Sequence, residues 1–149
     1  MKISDKCLEI VRAFEGFKAA PYLCPAGKWT IGYGSTFYED GRRVSKDDPP
    51  ITKERADDLM RLTLVGFQTE VNAMLRVTVT QGQFDALVDF AYNAGPANLK
   101  SSTLMAKVNR GDFAGAALEF DRWVYAGGVR LAGLTRRRDA EQALFEGRA

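Results

Sequence analysis

Glu15–Thr36, EGFKAAPYLCPAGKWTIGYGST, sets one acidic side chain, one thiol and one hydroxyl at fixed distances along a glycine-rich hairpin pattern. Upstream, Ile3, Cys7, Ile10, Val11 and Phe14 recur at three- and four-residue spacing, which lays an apolar stripe along one helix face, and Gly16 is a ready stop. Glu15 is thereby placed at a helix C-terminus. Unpaired carbonyls and the negative end of the helix dipole disfavour its ionised form there, which suits a general acid. Downstream, Trp29, Ile31 and Tyr33 alternate with Thr30, Gly32 and Gly34, a period of two that predicts a strand with bulky residues on one face and small ones on the other. The small face carries one hydroxyl, on Thr30. Glycines there let a ligand approach the backbone, although a simple bend in a small sheet uses the same residues.

Working outward, Asp40-Gly41 marks a tight turn and Pro49-Pro50 a stop before the next element. Thr52 is an N-cap for a long helix to about Leu75, with Glu54, Asp57 and Asp58 early in it, where the dipole favours acids. Gly66 lies inside that helix, for close packing or a bend. Thr80 and Gln83 form a capping box opening a helix with a buried stripe of Phe84, Leu87, Val88 and Ala91, which Asn93-Ala94-Gly95-Pro96 ends. Ser102 caps a short helix over 103–109, Gly111 closes it, and Asp112 caps the next, which carries Phe113, Ala116, Ala117 and Phe120. A loop with Gly127, Gly128 and Gly133 follows Trp123, and Thr135 opens a last helix through Phe145.

At 149 residues, 46% hydrophobic and 27% charged, the chain has room for one domain with a real core. A net charge of +2, with no basic run interleaved by aromatics, argues against a nucleic-acid partner. The absence of histidine excludes Ser-His-Asp and Cys-His hydrolysis and any histidine-ligated zinc site. Neither MKISDKCLEIVRAF nor any other segment is an uninterrupted apolar stretch, so no signal peptide or membrane span is expected, and the chain should be cytoplasmic when made. Two cysteines allow one disulfide, Cys7–Cys24, which a reducing compartment disfavours.

The spacing Glu15, nine residues to Cys24, six to Thr30, then Ile31-Gly32-Tyr33-Gly34, resembles the signature of phage-type lysozymes, the endolysins of glycoside hydrolase family 24. The likeness continues in Gln81 to Leu87 and Phe90, Asn93-Ala94-Gly95, Trp123, and Leu134-Thr135-Arg136-Arg137-Arg138 to Ala143-Leu144-Phe145, covering essentially the whole chain. It implies an α+β, two-lobed lysozyme-like fold: a small lobe at about 12–51, a linking helix at about 52–75, and a helical lobe at about 76–149 plus the N-terminal helix. It also implies cleavage of the β-1,4 bond between N-acetylmuramic acid and N-acetylglucosamine in peptidoglycan by a monomer needing no metal and no cofactor. Such an enzyme waits in the host cytoplasm and reaches the wall through a membrane lesion, without stable membrane association. Carboxyl-driven glycoside cleavage is also what the missing histidine leaves open.

By this resemblance Glu15 is the general acid, Cys24 stands where relatives usually carry aspartate, and Thr30 holds the attacking water. Cys24 as thiolate could stabilise the positive transition state or attack the anomeric carbon; as an ordinary thiol with a pKa of about 8.5 it would be mostly neutral. Thr36, Tyr92 and Thr103 are the implied substrate contacts. Arg137 matches a position whose guanidinium reaches the acid across the cleft, with Gly32 and Gly34 as further support. Arg136 and Arg138 are expected in solvent, Cys7 in the core, and Trp29 and Tyr33 in the core rather than stacked on sugar. The reading from a different class is a catalytically decayed module of the same fold that binds cell wall or acts as a scaffold.

Overall fold

The computed structural model describes all 149 residues. Seven α-helices and two small antiparallel hairpins make up the chain, the α+β class expected. It forms two compact units, Val11–Gly66 and Met1–Ile10 together with Phe67–Ala149. No helix is long and apolar enough to cross a membrane.

Helix α1 (Asp5–Glu15) stops at Gly16, whose φ of 70° and amide bond to the Arg12 carbonyl at 3.1 Å close the last turn. In Val11–Gly66, strand β1 (Lys18–Leu23) pairs antiparallel with β2 (Trp29–Gly32) in the register Lys18↔Gly32, Tyr22↔Thr30 and Leu23↔Trp29. Four steps along β1 between Lys18 and Tyr22 match two along β2, a bulge that contains Pro21, which has no amide to give the ladder. Ile31, Tyr38, Val44, Ile51, Ala56 and Leu59 form the core, and Phe17, Trp29 and Tyr33, half-buried, pack against it. β2 ends earlier than its alternation suggests, because Gly32 takes φ 66° and turns the chain into an Ile31↔Ser35 bridge. A Cβ on Gly32 would stand 3.0 Å from the Ala56 Cβ, so what this glycine admits closely is helix α2 (Lys53–Met74). The Asp40-Gly41 turn forms as expected, with the Gly41 amide 3.0 Å from the Tyr38 carbonyl. Thr52 caps α2 through its hydroxyl to the Arg55 amide at 3.2 Å.

The other unit is built on α3 (Gln81–Ala94), whose N-terminus carries the complete Thr80/Gln83 capping box. Every residue from Gln83 to Ala91 is buried, beyond the single stripe the sequence suggested. Phe90 meets Phe120 and Trp123 edge-on at 5.9 and 5.2 Å, and Phe120 meets Phe145 at 5.4 Å. Gly95 ends α3, but Pro96 does not merely stop it; proline occupies the first turn of a further helix, α4 (Pro96–Ser101), where its missing amide costs nothing. The caps on α5 (Thr103–Asn109) and α6 (Phe113–Glu119) are those read from sequence: Ser102 Oγ to the Met105 amide at 3.0 Å and Asp112 Oδ1 to the Gly115 amide at 2.9 Å. After a 3-10 turn at Phe120–Arg122, the expected loop contains a short hairpin, β3 (Tyr125–Ala126) with β4 (Val129–Arg130), turned by Gly127 and Gly128 at φ 56° and 78°. Helix α7 (Ala132–Phe145) begins before Thr135, whose hydroxyl bonds the Leu131 carbonyl inside the first turn at 3.1 Å, so Thr135 does not open it.

Candidate active site

Three of the sequence-predicted residues belong to one hairpin and the helix end before it. Between the strands, Cys24-Pro25-Ala26-Gly27 forms a turn closed by the Gly27 amide on the Cys24 carbonyl at 2.8 Å, with Pro25 at the position that favours its fixed φ and Gly27 at φ 76°. The Cys24 amide then bonds the Lys28 carbonyl at 3.0 Å, adding one more rung beyond Leu23↔Trp29. Side chains two apart on a strand, and those directly opposite across a ladder, share a face. Tyr22, Cys24 and Thr30 therefore face the same way. The face is not the bare floor expected for Thr30, because Tyr22 stands opposite it and Thr30 is 3% exposed.

Cys24 is a free, half-buried thiol. Its pKa is held below the ordinary thiol value, chiefly by the Lys28 backbone N–H, against partial burial and with help from the Ala26 N–H. The Thr30 hydroxyl also lies beside the sulfur, yet it donates to the Lys28 carbonyl at 3.0 Å. One hydroxyl proton serves one acceptor, so the backbone amides carry the stabilisation and Thr30 Oγ1 offers lone pairs. Amides thus do what a neighbouring cation would otherwise have to do. Glu15 is half-buried at the end of α1.

Tyr22 was not among the residues singled out from sequence. Burial raises its phenol pKa, and the negative charges of Glu15 and then Cys24 raise it further, so both groups act on this ring. The available signal was its position two residues before Cys24 on a strand. Thr36, half-buried, receives the Val44 amide on its carbonyl at 2.9 Å, and Gly34 takes φ 92° in the turn.

Tyr92, Thr103 and Arg137 belong to the other unit. The Tyr92 ring packs on Phe67 at 5.2 Å, and Thr103 is exposed at the start of α5. Arg137 is buried and grips Asp89 with two bonds, Nε to Oδ2 at 3.0 Å and Nη2 to Oδ1 at 2.8 Å. Arg138, expected in solvent, is 1% exposed. It lies over the Phe90 ring at 4.8 Å, donates to Asn93, and places Nε 2.9 Å from Glu141 Oε2 as an ion pair not aligned for a hydrogen bond. A run of three arginines carries no phase, and α7 turns the second and third inward while Arg136 stays exposed. Burial, then Asp89, raises the Glu141 pKa well above the usual carboxylate range. Cys7 is fully buried as expected, and burial with Asp89 and Asp85 pushes its thiol strongly up, leaving it neutral.

The family described as Phage lysozyme matches residues 12–141. An endolysin of Acyrthosiphon pisum secondary endosymbiont phage 1 is 39% identical over 150 residues, spanning 98% of this chain and 99% of that protein. An endolysin of Bacillus phage PZA is 44% identical over 147 residues, 97% of this chain and 55% of the longer relative. Among solved structures, an endolysin from Escherichia coli O157:H7 phage FAHEc1 superposes with a TM-score of 0.87 at 33% identity, over 97% of this chain and 93% of that one.

Proposed function

The chain belongs to the phage lysozyme family and is by that membership a glycoside hydrolase of peptidoglycan, and from there we propose that Glu15, Cys24 and Thr30 carry out the cut and that it lyses the host. The bond broken is the β-1,4 link between N-acetylmuramic acid and N-acetylglucosamine. Glu15 gives its proton to the glycosidic oxygen as the C1–O bond breaks and positive charge develops on the sugar. A water molecule, donating one hydrogen to the lone pairs of Thr30 Oγ1 and one toward the Cys24 sulfur, attacks C1 from the opposite face. The thiolate takes its proton, and the cycle closes when the Cys24 thiol releases that proton to solvent while solvent returns one to Glu15.

The observation that carries this reading is the shared hairpin face of Cys24 and Thr30, next in the chain after the helix end that holds Glu15, and the lowered Cys24 pKa supports it. A cysteine serving only as apolar filler has no use for a loop that favours its anion. Attack by water inverts the anomeric centre. Were Cys24 instead a covalent nucleophile, the product would retain it, and NMR of the first-formed anomer separates the two. Arg137 is proposed as a supporting cation, with Thr36, Tyr92 and Thr103 as substrate contacts, and the protein as a monomer acting on glycan strands after release through a membrane lesion.

Turbidity loss of permeabilised Gram-negative cells tests the reading, with wild type, Glu15→Gln, Cys24→Ser and Cys24→Asp compared side by side after circular dichroism confirms folding. The expected result is lysis by wild type, none by Glu15→Gln, little by Cys24→Ser, and rescue by Cys24→Asp. A folded wild type that pellets with cell walls but never clears them would replace the enzyme reading with a binding module.

A further inference from the structure

Counting donors and acceptors on the hairpin face exposes a shortage. A Cys24 thiolate accepts only; the Thr30 proton is already given to the Lys28 carbonyl; Glu15 accepts only once it has released its proton. A saccharide, however, presents hydroxyl, ring and acetamido oxygens next to the scissile bond, and these need a donor as charge shifts during the reaction. One group on the same face keeps its proton throughout. Tyr22 is the cross-strand partner of Thr30 and lies two residues from Cys24 on the same strand line, in the regular pairing that runs from the bulge to the turn.

We infer that Tyr22 is a further catalytic residue of this site, its phenol hydroxyl donating a hydrogen bond to a substrate oxygen beside the bond being cut. The inference rests on the active-site reading given above. Two independent features support it. Register places the ring with Cys24 and Thr30, and the neighbouring negative groups, Glu15 and Cys24, together with burial, oppose loss of the phenol proton. The same groups that must exchange protons therefore keep Tyr22 from doing so, and it remains a donor at every stage. Leu23, next in sequence, points the other way and is 55% exposed, so a general apolar role for this strand does not account for Tyr22.

The test compares wild type, Tyr22→Phe and Glu15→Gln on soluble, uncross-linked glycan strands, following reducing ends across substrate concentrations, with thermal unfolding of each. Tyr22→Phe keeps the ring and removes only the donor. It is expected to leave the melting temperature near wild type and to lower kcat/KM roughly tenfold to hundredfold, mainly through kcat. A second readout needs no turnover. Alkaline titration of tyrosine absorbance, with the Tyr22→Phe trace subtracted, isolates the Tyr22 phenol, and its midpoint should fall in both Glu15→Gln and Cys24→Ser. Unchanged kcat/KM in folded Tyr22→Phe, or a lowered melting temperature with kcat intact, overturns the inference, as does a midpoint that neither variant moves. A wild type without activity instead removes the active-site reading, and the phenol titration still reports whether Tyr22 shares a site with Glu15 and Cys24.

Discussion

At the scale of single residues, the proposed site turns on Cys24, which the sequence resemblance sets where phage-type lysozymes usually carry aspartate. A carboxylate is ionised at neutral pH without help, whereas a thiol with a pKa of about 8.5 is not, so the substitution works only if the backbone supplies stabilisation. The Lys28 N–H does so first, and the Ala26 N–H adds to it. Alkylation by iodoacetamide as a function of pH checks this directly. Native Cys24 should react with a midpoint below that of the same chain in urea, while Cys7, buried and with its pKa raised, should stay unreactive until unfolding. A native midpoint at or above the unfolded one would mean that the loop does not favour the anion. Spacing together with the resemblance singled out Glu15, Cys24 and Thr30, and the hairpin register sets the last two on one face. For Tyr22 the one signal was its alternate position to Cys24; its pairing with Thr30 depends on where the hairpin turns, which alternation counted along one chain does not report.

At the scale of elements, capping chemistry was the most readable signal, since Thr52, Thr80 with Gln83, Ser102 and Asp112 all cap as their side chains dictate. Two helix-end failures are alike: proline can stop a helix or sit in its first turn, and threonine can cap a helix or lie inside its first turn, and only tertiary packing chooses. Glycines inside helices divide by what surrounds them. A Cβ on Gly66 would meet nothing within 4 Å, so the close packing considered for it is absent, and its cost is backbone entropy. Gly66→Ala should therefore raise stability by about 1 kcal/mol. Gly82, in the first turn of α3, is the opposite case, because a Cβ there would run into the Leu144 carbonyl oxygen of α7. Backbone cannot step aside as a side chain can, so Gly82→Ala should destabilise by about 1–3 kcal/mol as α3 and α7 are forced apart. Urea unfolding of both variants measures the two signs in one experiment, and like signs would refute the packing argument.

For the molecule as a whole, the class and the order of elements could be read because helix and strand periods, caps and turns agree along most of the chain. The buried ionic cluster could not, since which charged residues face inward is decided by the packing of α3 on α7. That cluster, with the paired carboxylates Asp57 and Asp48 of Val11–Gly66, shapes how stability depends on pH. Burial alone would raise Asp57, but Arg61 and Arg12 outweigh it and hold the carboxyl below its usual value. Its contribution is present above an unfolded pKa of about 3.9 and is lost as pH falls through the folded value. Asp48, lowered by the Ser45 amide and then the Tyr38 hydroxyl, acts in the same sense. Glu141 is opposite. Facing Asp89, Arg137 and Arg138 without exposure, it is raised by burial and then by Asp89, so the folded chain binds a proton that the unfolded chain releases above about pH 4.3. Stability conferred by that proton is complete at low pH and declines as pH rises toward the folded value. The melting temperature between pH 3 and 9 should accordingly fall on both sides of a maximum. Asp57→Asn should flatten the acid side alone, and Glu141→Gln, which keeps the shape of the neutral acid, should flatten only the decline at higher pH. If Glu141→Gln instead melts below wild type across the whole range, Glu141 is the ionised partner of Arg138, 2.9 Å away, and the cluster holds two full ion pairs rather than a shared proton.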